Sequence, residues 1–281
     1  MKVRSFVKSA SYNPIVRRVV RALHLTRLAR SLYYRWALPR SRIYTVEDNG
    51  GKYRFYMPTA VELRAMEIQT ERHLVRRLLS ALRPGDTVWD VGAHLGYWAV
   101  QVAKAVGPHG GVVAFEPLSE NYNVLLANLE LNGLRNVIAL RVALGSCRLQ
   151  ERLNRPGPGW TTGHSSLLRP VSGAATYEVV DVAPGDALRE ERQLPVPRAI
   201  KIDVEGYEYF VLQGLQRTLA LPACELICCE VHPRLLPPAV TAQTVSGLIE
   251  LLGFARIDLD FVGGPDPFHV FASKRTGSAD R

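Results

Sequence analysis

Hydrophobic and polar positions alternate in a regular rhythm along most of this 281-residue chain. From residue 87 onward, short apolar runs are separated by amphipathic segments, which predicts strands alternating with helices. The predicted strands lie near residues 87–92, 112–117, 136–142, 199–204, 224–231, 254–260 and 267–273. This pattern is typical of an α/β fold with a doubly wound, mostly parallel seven-stranded sheet. Residues 148–182 interrupt the rhythm, and the run at 157–166 predicts a mobile loop or small insertion that supplies substrate contacts.

Other elements are predicted before the sheet begins. Residues 42–46 and 52–56 flank Asn49-Gly50-Gly51, which is a strong signal for a β-hairpin. A single helix is predicted from about residue 59 to residue 82, where an Arg-Pro-Gly stretch ends it. Near the N-terminus, residues 13–42 carry apolar side chains at helical spacing with arginines between them, which predicts an amphipathic helical arm.

The most informative stretch is residues 88–97, an apolar strand that breaks at Gly92 and leads into a helix beginning near His94. Gly92 permits a tight turn and a close approach of the backbone to a ligand. Glu116 follows the next strand, where an acid can accept hydrogen bonds from both hydroxyls of a ribose. These residues predict a pocket for an adenosine-type cofactor. The candidate cofactor contacts are Asp90, Gly92, Ala93, His94, Gly96, Tyr97, Glu116, Pro117 and Ala143.

The composition of this turn bears on the choice of cofactor. Dinucleotide folds use G-x-G-x-x-G against a pyrophosphate, whereas His94 stands here at the position of the second glycine. Asp90 would repel phosphate and suits a ligand with positive charge. S-adenosyl-L-methionine carries an ammonium and a sulfonium and has no phosphate, so we predict it as the cofactor. An NAD(P)-dependent oxidoreductase, a non-catalytic cofactor-binding protein with the same fold, and a domain without cofactor are the alternatives.

Acids and a histidine close two later strands of the predicted sheet. Asp203 and Glu205 follow the fourth strand, and Glu230 and His232 end the fifth, so their side chains should meet at one edge. A hydroxyl nucleophile must lose its proton as the new bond forms, and an imidazole with a pKa near neutrality suits that task. We therefore predict His232 as the general base, with Asp203 or Glu205 orienting it or the substrate. His164 is the reserve candidate.

Simpler interpretations of these acids are that Glu205 caps the following helix and that Glu230 is a buried hydrogen-bond acceptor. Oxygen ligands on Asp203, Glu205 and Glu230 would also suit a divalent cation. Nothing in their spacing requires a metal, and no metal site is predicted.

The net charge of +9 is concentrated at the N-terminus. Eleven of the 35 Lys and Arg residues lie within residues 1–42, which contain no acid. A basic amphipathic helix suits an anionic membrane surface, so peripheral membrane contact through residues 13–42 is one hypothesis. A helix packed on the body with solvated arginines, or an organelle transit peptide, is the alternative. Nucleic-acid binding is disfavoured, because no reader motif accompanies the charge.

Apolar runs and cysteines bear on the compartment. No apolar run has the length needed to span a bilayer, and no signal-peptide core follows the start. Cys224, Cys228 and Cys229 lie on a predicted buried strand in a spacing that matches no common zinc site. We expect these cysteines to be reduced core residues of a cytoplasmic protein. Peripheral association with the membrane is the alternative localisation.

A family resemblance rests on five separated runs that occur in order: VWDVGAHLGYWAV at 88–100, AFEPLSENYNVLLANLELNGL at 114–134, RVALG at 141–145, IKIDVEGYEYFVLQGL at 200–215 and CCEVHP at 228–233. Together they resemble the FkbM family of S-adenosylmethionine-dependent methyltransferases. The resemblance implies a Rossmann-like class I methyltransferase fold and O-methylation of a hydroxyl on a sugar, glycolipid or secondary metabolite. Two positions depart from the family pattern. His94 stands where Asn is commoner, and residues 183–186 replace a Thr-Leu-Asp-Asp-like stretch.

The same resemblance suggests how the chain is organised. Residues 1–58 would form the basic amphipathic arm and the hairpin, and residues 59–281 the methyltransferase domain with a substrate-loop region at 148–182. Base-modifying amino-methyltransferases carry an (Asn/Asp)-Pro-Pro-aromatic stretch after the fourth strand, where this chain has Asp203-Val204-Glu205-Gly206. We therefore expect a small-molecule, glycan or lipid-linked hydroxyl acceptor and no nucleobase.

Overall fold

A computed structural model describes residues 41–68, 72–157, 161–168, 176–261 and 267–274. The predicted arm, apart from residues 41 and 42, lies outside these ranges. In chain order the elements are β1 (Ile43–Asp48), β2 (Gly51–Tyr56), α1 (Ala60–Ile68), α2 (Arg72–Ala81), β3 (Thr87–Val91), α3 (Tyr97–Val106), β4 (Gly111–Phe115), α4 (Ser119–Leu131), β5 (Val137–Leu140), β6 (Ala143–Leu144), β7 (Leu149–Arg155), β8 (Thr176–Ala183), α5 (Gly185–Glu191), β9 (Ala199–Ile202), α6 (Glu208–Gly214), α7 (Gln216–Ala220), β10 (Leu226–Val231), α8 (Ala242–Leu251), β11 (Arg256–Asp260) and β12 (Phe268–Ser273).

Seven strands form the central sheet in the order β11-β12-β10-β9-β3-β4-β5. β5, β4, β3, β9 and β10 run parallel, and β12 is antiparallel to both of its neighbours. The predicted α/β fold is confirmed, and every predicted strand lies within two residues of the observed one. The chain leaves β3 toward β5 and returns to β9 on the other side. Ligands bind in the crevice at such a switch in strand order, at the carboxyl ends of the strands.

Two hydrophobic cores cover the two faces of this sheet. Successive side chains of a strand point to opposite faces, so Val88 and Val112 enter one core, whereas Trp89 and Val113 enter the other. Helices α2, α3 and α4 pack in the first core, and helices α5 to α8 pack in the second. Burial on both faces explains why these strands read as continuous apolar runs in the sequence.

The predicted hairpin is confirmed as β1 and β2, which are joined by Asn49 and Gly50. Both residues have positive φ, 47° and 73°, as a two-residue type I′ turn requires. The fully buried Phe55 packs into the same core as α3 and α4. The backbone N–H of Tyr56 also donates a hydrogen bond to Asn128 on α4, at 2.6 Å. The hairpin therefore packs against the central domain, and the domain boundary near residue 58 stays a prediction.

The region of residues 148–182, which interrupts the predicted rhythm, contains strands on either side of the loop or insertion predicted at 157–166. β7 and β8 pair antiparallel over their length and join β6 in a three-stranded sheet. A short 3₁₀ helix spans Thr162–His164, and Ser166 bridges back to Asn154. The sequence did not predict β7 and β8, because half-exposed strands alternate polar with apolar residues and carry a weak hydrophobic signal.

Three further expectations can be compared with the described residues. The helix predicted over 59–82 is present as α1 and α2, with residues 69–71 outside the described ranges. Cys224, Cys228 and Cys229 are free and buried, as predicted. Within the described ranges, no helix has both the length and the apolar character needed to cross a bilayer.

Candidate active site

A cavity of about 730 Å³ opens at the carboxyl ends of β3, β4, β9 and β10. All three predicted catalytic residues line it, as does the reserve candidate His164. Seven of the nine predicted cofactor contacts line it as well: Gly92, Ala93, His94, Tyr97, Glu116, Pro117 and Ala143. Asp90 and Gly96 are not part of the described lining. The structure thus brings the two predicted groups of residues to the walls of one cavity.

The turn after β3 is built on three residues with positive φ: Gly92 at 79°, His94 at 50° and Gly96 at 86°. A Cβ at Gly92 would lie 1.9 Å from the carbonyl oxygen of Asp203, so only glycine fits this close approach. Position 94 is left-handed, a conformation that Asn, Asp and His adopt more readily than other residues with side chains. The helix α3 begins at Tyr97, three residues later than the sequence suggested.

Glu116 lies buried at the end of β4, facing this turn. Its Oε2 accepts a hydrogen bond from the backbone N–H of His94 at 2.8 Å, and its Oε1 accepts one from Leu118 at 3.0 Å. Burial raises the pKa of Glu116 to about 7, although these donors favour the ionised form. A carboxylate offers about four acceptor positions, so capacity remains for a hydroxyl donor from the cavity.

Lys201 is a buried residue of the site that the sequence did not predict. Its ammonium lies inside the sheet and donates a hydrogen bond to the carbonyl oxygen of Gly92 at 2.8 Å. It also pairs with Asp90 Oδ1 at 3.3 Å and Asp203 Oδ2 at 3.4 Å. The charge of Asp90 is therefore compensated within the protein, so it does not by itself select a cationic ligand. The sequence did offer a signal for these ion pairs, namely a lysine within an apolar central strand. A buried ammonium requires partners, so this lysine indicates acids nearby.

His232 is held in a cluster of carboxylates. Its Nδ1 lies 2.7 Å from Oε1 of Glu208, and its Nε2 lies 3.5 Å from Glu205 Oε2 and 3.7 Å from Glu230 Oε1. Burial lowers the pKa of His232, but the hydrogen bond to Glu208 and the charges of Glu205, Glu208 and Asp203 outweigh it and raise the pKa to about 10. The neighbouring acids stabilise the imidazolium, so this pKa lies above the near-neutral range on which the base role was predicted, and that role stays a prediction.

The backbone at Glu205 is strained in a way that directs its carboxylate toward this cluster. Glu205 has φ 50°, and Gly206 follows with φ 101°. A Cβ at Gly206 would lie 2.6 Å from the carbonyl oxygen of Leu235, so the chain has little room to relax. Oε1 of Glu205 lies 2.9 Å from Nδ1 of His164, whose pKa is raised by this hydrogen bond. Strained non-glycine residues of this kind concentrate at functional sites.

Residues 161–168 cover part of the cavity and were placed only loosely by the sequence. The backbone N–H and hydroxyl of Thr162 donate to Oε1 of the buried Glu62 on α1, at 2.9 and 3.0 Å. Nε2 of His94 lies 3.1 Å from the Thr162 hydroxyl, and burial lowers the pKa of this imidazole. Ser166 donates to the carbonyl oxygen of Glu205 at 2.8 Å. Glu62 carries no sequence signal, since nothing in the sequence marks which acid of a half-buried helix turns inward.

A sheet of this order with a buried acid after its second parallel strand defines an α/β enzyme that binds a nucleoside-type cofactor. Comparison with known proteins identifies the family. The family model for the methyltransferase FkbM domain matches residues 90–245. The hexuronic acid methyltransferase AglP of Haloferax volcanii is 30% identical over 196 residues, which cover 69% of this chain and 77% of that protein. The chain belongs to the FkbM methyltransferase family.

Solved structures of methyltransferases also align with the chain. The S-adenosylmethionine-dependent O-methyltransferase from Thermotoga maritima has a TM-score of 0.44 and 15% identity, with 82% of this chain and 77% of that chain covered. The precorrin-6y C5,15-methyltransferase from Geobacter metallireducens has a TM-score of 0.43 and 16% identity, with 74% and 91% covered.

The predicted family, enzyme class and cofactor are confirmed by the family match. The protein is a methyltransferase that uses S-adenosyl-L-methionine, and the alternative of an NAD(P)-dependent oxidoreductase is wrong.

Proposed function

We propose that the protein O-methylates a hydroxyl group of a sugar-type acceptor. The observation that carries this proposal is one cavity lined both by the glycine turn and Glu116 and by Asp203, Glu205 and His232. We assign the first group, the donor end, to the methyl donor and the second group, the acceptor end, to the acceptor hydroxyl. The family membership supports the reaction, and the similarity to a hexuronic acid methyltransferase supports the substrate class.

The residues at the donor end fit S-adenosyl-L-methionine in chemistry and shape. Glu116 would accept hydrogen bonds from the ribose hydroxyls, while Pro117 and Ala143 would contact the adenine ring with their apolar surfaces. Gly92 and Ala93 would bring backbone close to the donor, and Asp90 and Gly96 would support the turn from behind it. When bound, the donor supplies a methyl carbon made electrophilic by its sulfonium.

The residues at the acceptor end would position and deprotonate the hydroxyl. Because the pKa of His232 is raised to about 10, the imidazole holds a proton near neutral pH when the site is empty, and it orients Glu205 rather than acting alone as a base. Carboxylates accept hydrogen bonds from hydroxyls. The acceptor oxygen forms the new bond to the methyl carbon, the carbon–sulfur bond breaks with its electrons on sulfur, and a carboxylate of the cluster receives the hydroxyl proton. Alignment and exclusion of water supply most of the acceleration.

Arg234 bears on the kind of sugar. It lines the same cavity as the acids at the acceptor end. A guanidinium can bind a carboxylate through two parallel hydrogen bonds, so Arg234 would favour a uronic acid over a neutral sugar. A uronic acid without such a cation would meet repulsion from Asp203, Glu205 and Glu230.

The experiment is transfer of a labelled methyl group from S-adenosyl-L-methionine to two matched sets of oligosaccharides, one with glucuronic acid and one with glucose. We expect label in an ether linkage on the acid-containing set. The variant Arg234→Gln should reduce the preference for the acid and leave binding of S-adenosylhomocysteine unchanged. Cofactor binding without transfer to any glycan would overturn the acceptor class, whereas no cofactor binding by folded protein would overturn the assignment of the donor end.

The basic arm supports a more specific hypothesis, in which the acceptor is carried on a lipid and the arm holds the enzyme at an anionic membrane. Its support is the charge of residues 1–42 and its helical spacing of apolar residues. Co-sedimentation with anionic vesicles should fall when Arg17, Arg18 and Arg21 are all replaced by Gln in the full chain. Equal sedimentation of both proteins would contradict this hypothesis.

A further inference from the structure

We propose that Asp203, Glu205 and His232 bind one divalent cation of the oxygen-preferring class, Mg²⁺ or Mn²⁺, at the acceptor end of the cavity. One ligand atom from each of these residues lies within 4.8 Å of the other two. For metal–ligand bonds of about 2.0–2.6 Å, ligand atoms on opposite sides of a cation are about 4–5 Å apart, and adjacent ones are closer. The three side chains can therefore converge on one ion with only small adjustments. The inference rests on the proposed function, because it places the ion where the acceptor hydroxyl would bind.

The orientation of His232 is the first observation that favours a ligand over a simple ion pair. Its Nδ1 makes a short contact with Glu208, at 2.7 Å, whereas its Nε2 stands 3.5 and 3.7 Å from oxygens of Glu205 and Glu230. Both distances are too long for a normal hydrogen bond. A buried imidazole that is fixed through one nitrogen and faces two carboxylates with the other has the arrangement of a metal-binding histidine.

Glu208 completes this arrangement from behind His232. Its side chain is fully buried, and its Oε1 also accepts a hydrogen bond from the backbone N–H of Gly206 at 2.9 Å. Metal-ligating histidines almost always pass their second ring N–H to a carboxylate or carbonyl oxygen, which fixes the tautomer and the ring plane. Glu208 does not line the cavity among the described residues, so we assign it a positioning role.

The two carboxylates are held in place by independent features. The positive φ of Glu205 and the close packing of Gly206 against Leu235 fix the backbone that carries the first carboxylate. Lys201 lies 3.4 Å from Oδ2 of Asp203 and fixes the second. A carboxylate that is paired through one oxygen can still ligate a cation through the other. Preorganised ligands of this kind lower the cost of binding an ion.

The chemistry of the ligand set indicates the class of ion and its effect. Two carboxylates and one imidazole leave positions for water or for the acceptor hydroxyl, and carboxylate oxygens suit Mg²⁺ and Mn²⁺. A cation bound to the hydroxyl would lower its pKa and stabilise the developing negative charge. Glu230, which stands beside the three ligands, would then be the carboxylate that receives the proton.

The test is titration of the metal-free full chain with Mn²⁺, in the absence of methyl donor and acceptor. Calorimetry should give one Mn²⁺ per chain, and pulsed electron paramagnetic resonance should show coupling to one imidazole nitrogen. Asp203→Asn and Glu205→Gln should each weaken binding at least about tenfold, and His232→Gln should remove the nitrogen coupling. Glu208→Gln should cost about 10–100-fold in affinity, the usual effect of removing a partner of a metal-bound histidine.

Asp258→Asn is the matched control, because this exposed acid pairs with Arg77 on the surface and lies outside the cavity lining. It should bind Mn²⁺ as the unmodified protein does, and circular dichroism with thermal melting verifies that each variant is folded.

The inference is wrong if folded protein binds no Mn²⁺, if the three ligand variants bind it unchanged, or if no nitrogen coupling appears. Methyl transfer that persists in a chelator, with no Mn²⁺ binding, would overturn the cation and leave the proposed function standing. Mn²⁺ binding without methyl transfer to any glycan would overturn the proposed function and leave the cation site standing.

Discussion

The two ends of the cavity are constructed in different ways. The donor end comes from one continuous unit, β3, the turn at 92–96 and β4, and its shape depends on backbone conformation and one buried acid. The acceptor end combines side chains from three separate segments, represented by His164, Glu205 and His232. Local chain geometry thus defines the first end, whereas long-range ion pairs define the second. Substitutions should therefore separate cofactor binding from turnover.

The largest effect is expected at the acceptor end. His232→Gln should lower kcat by ~10²–10⁴-fold, the usual contribution of proton transfer in the transition state, because the carboxylate that receives the proton would lose the imidazole that orients it. Affinity for S-adenosylhomocysteine should stay the same, because His232 is not among the donor-end residues. His73→Gln is the matched control, since His73 pairs with Asp260 on the surface at 2.8 Å. If cofactor affinity falls as much as kcat, the division between the two ends is wrong.

At the donor end, Gly92→Ala should destabilise the fold by roughly 2–5 kcal/mol, the combined scale of left-handed strain and overpacking. The added Cβ would meet the carbonyl oxygen of Asp203. Gly133→Ala tests the strain alone, because Gly133 has φ 65° and a Cβ added there would meet no atom within 4 Å. It should cost only about 1–2 kcal/mol. Urea unfolding measures both values, and equal losses would show that the close approach at Gly92 does not matter.

Glu116→Ala should weaken binding of S-adenosylhomocysteine by about 1–3 kcal/mol, the scale of losing hydrogen bonds to a charged group. Calorimetry on the folded variant measures the change. Glu120→Ala is a suitable control, because Glu120 lies on α4 and pairs with Arg155 at the surface. An unchanged dissociation constant for Glu116→Ala would remove this acid from the site.

The smallest effect is a dependence of cofactor affinity on pH. Burial raises the pKa of Glu116 to about 7, and hydroxyl donors of the cofactor favour the ionised form. The free protein therefore takes up a proton as the pH falls through 7. Below pH 7 the affinity for the cofactor should decline by at most about tenfold per pH unit, and above pH 7 this group should cause no change. Glu116→Gln should lack this component, so a difference between the two proteins that does not vary with pH would contradict the assignment.

The sequence predicted the donor end well because its signals are local. A glycine at a strand end and an acid after the next strand identify the turn and Glu116 without knowledge of the tertiary structure. Lys201 and Glu208 were missed because their roles depend on partners that are distant in sequence or behind the cavity wall. The base role of His232 was inferred from the ordinary pKa of imidazole, which four surrounding acids change.

The second sheet shows the same limit at the level of the fold. Strands with one exposed face carry polar residues such as Gln150 and Arg152 on every second position, and their hydrophobic signal was too weak to predict β7. The central strands, buried on both faces, were located within two residues. The hydrophobic pattern of the sequence therefore locates the buried sheet. Predicting the elements at the edge of the site requires knowledge of their tertiary contacts.

Lys201 has a consequence for how the chain finds its correct strand pairing. It faces the carboxylates of Asp90 and Asp203 and shares a strand with apolar neighbours that enter the opposite core. A shift of β9 by one residue against β3 would turn the ammonium to the face that holds Trp89 and Val91, where it would lose Asp90, its partner on β3. Asp203 follows two residues later on the same segment and would turn with it. Breaking a buried ion pair costs about 3–5 kcal/mol, so the loss of the Lys201–Asp90 pair discriminates against this misfolded alignment at the centre of the sheet.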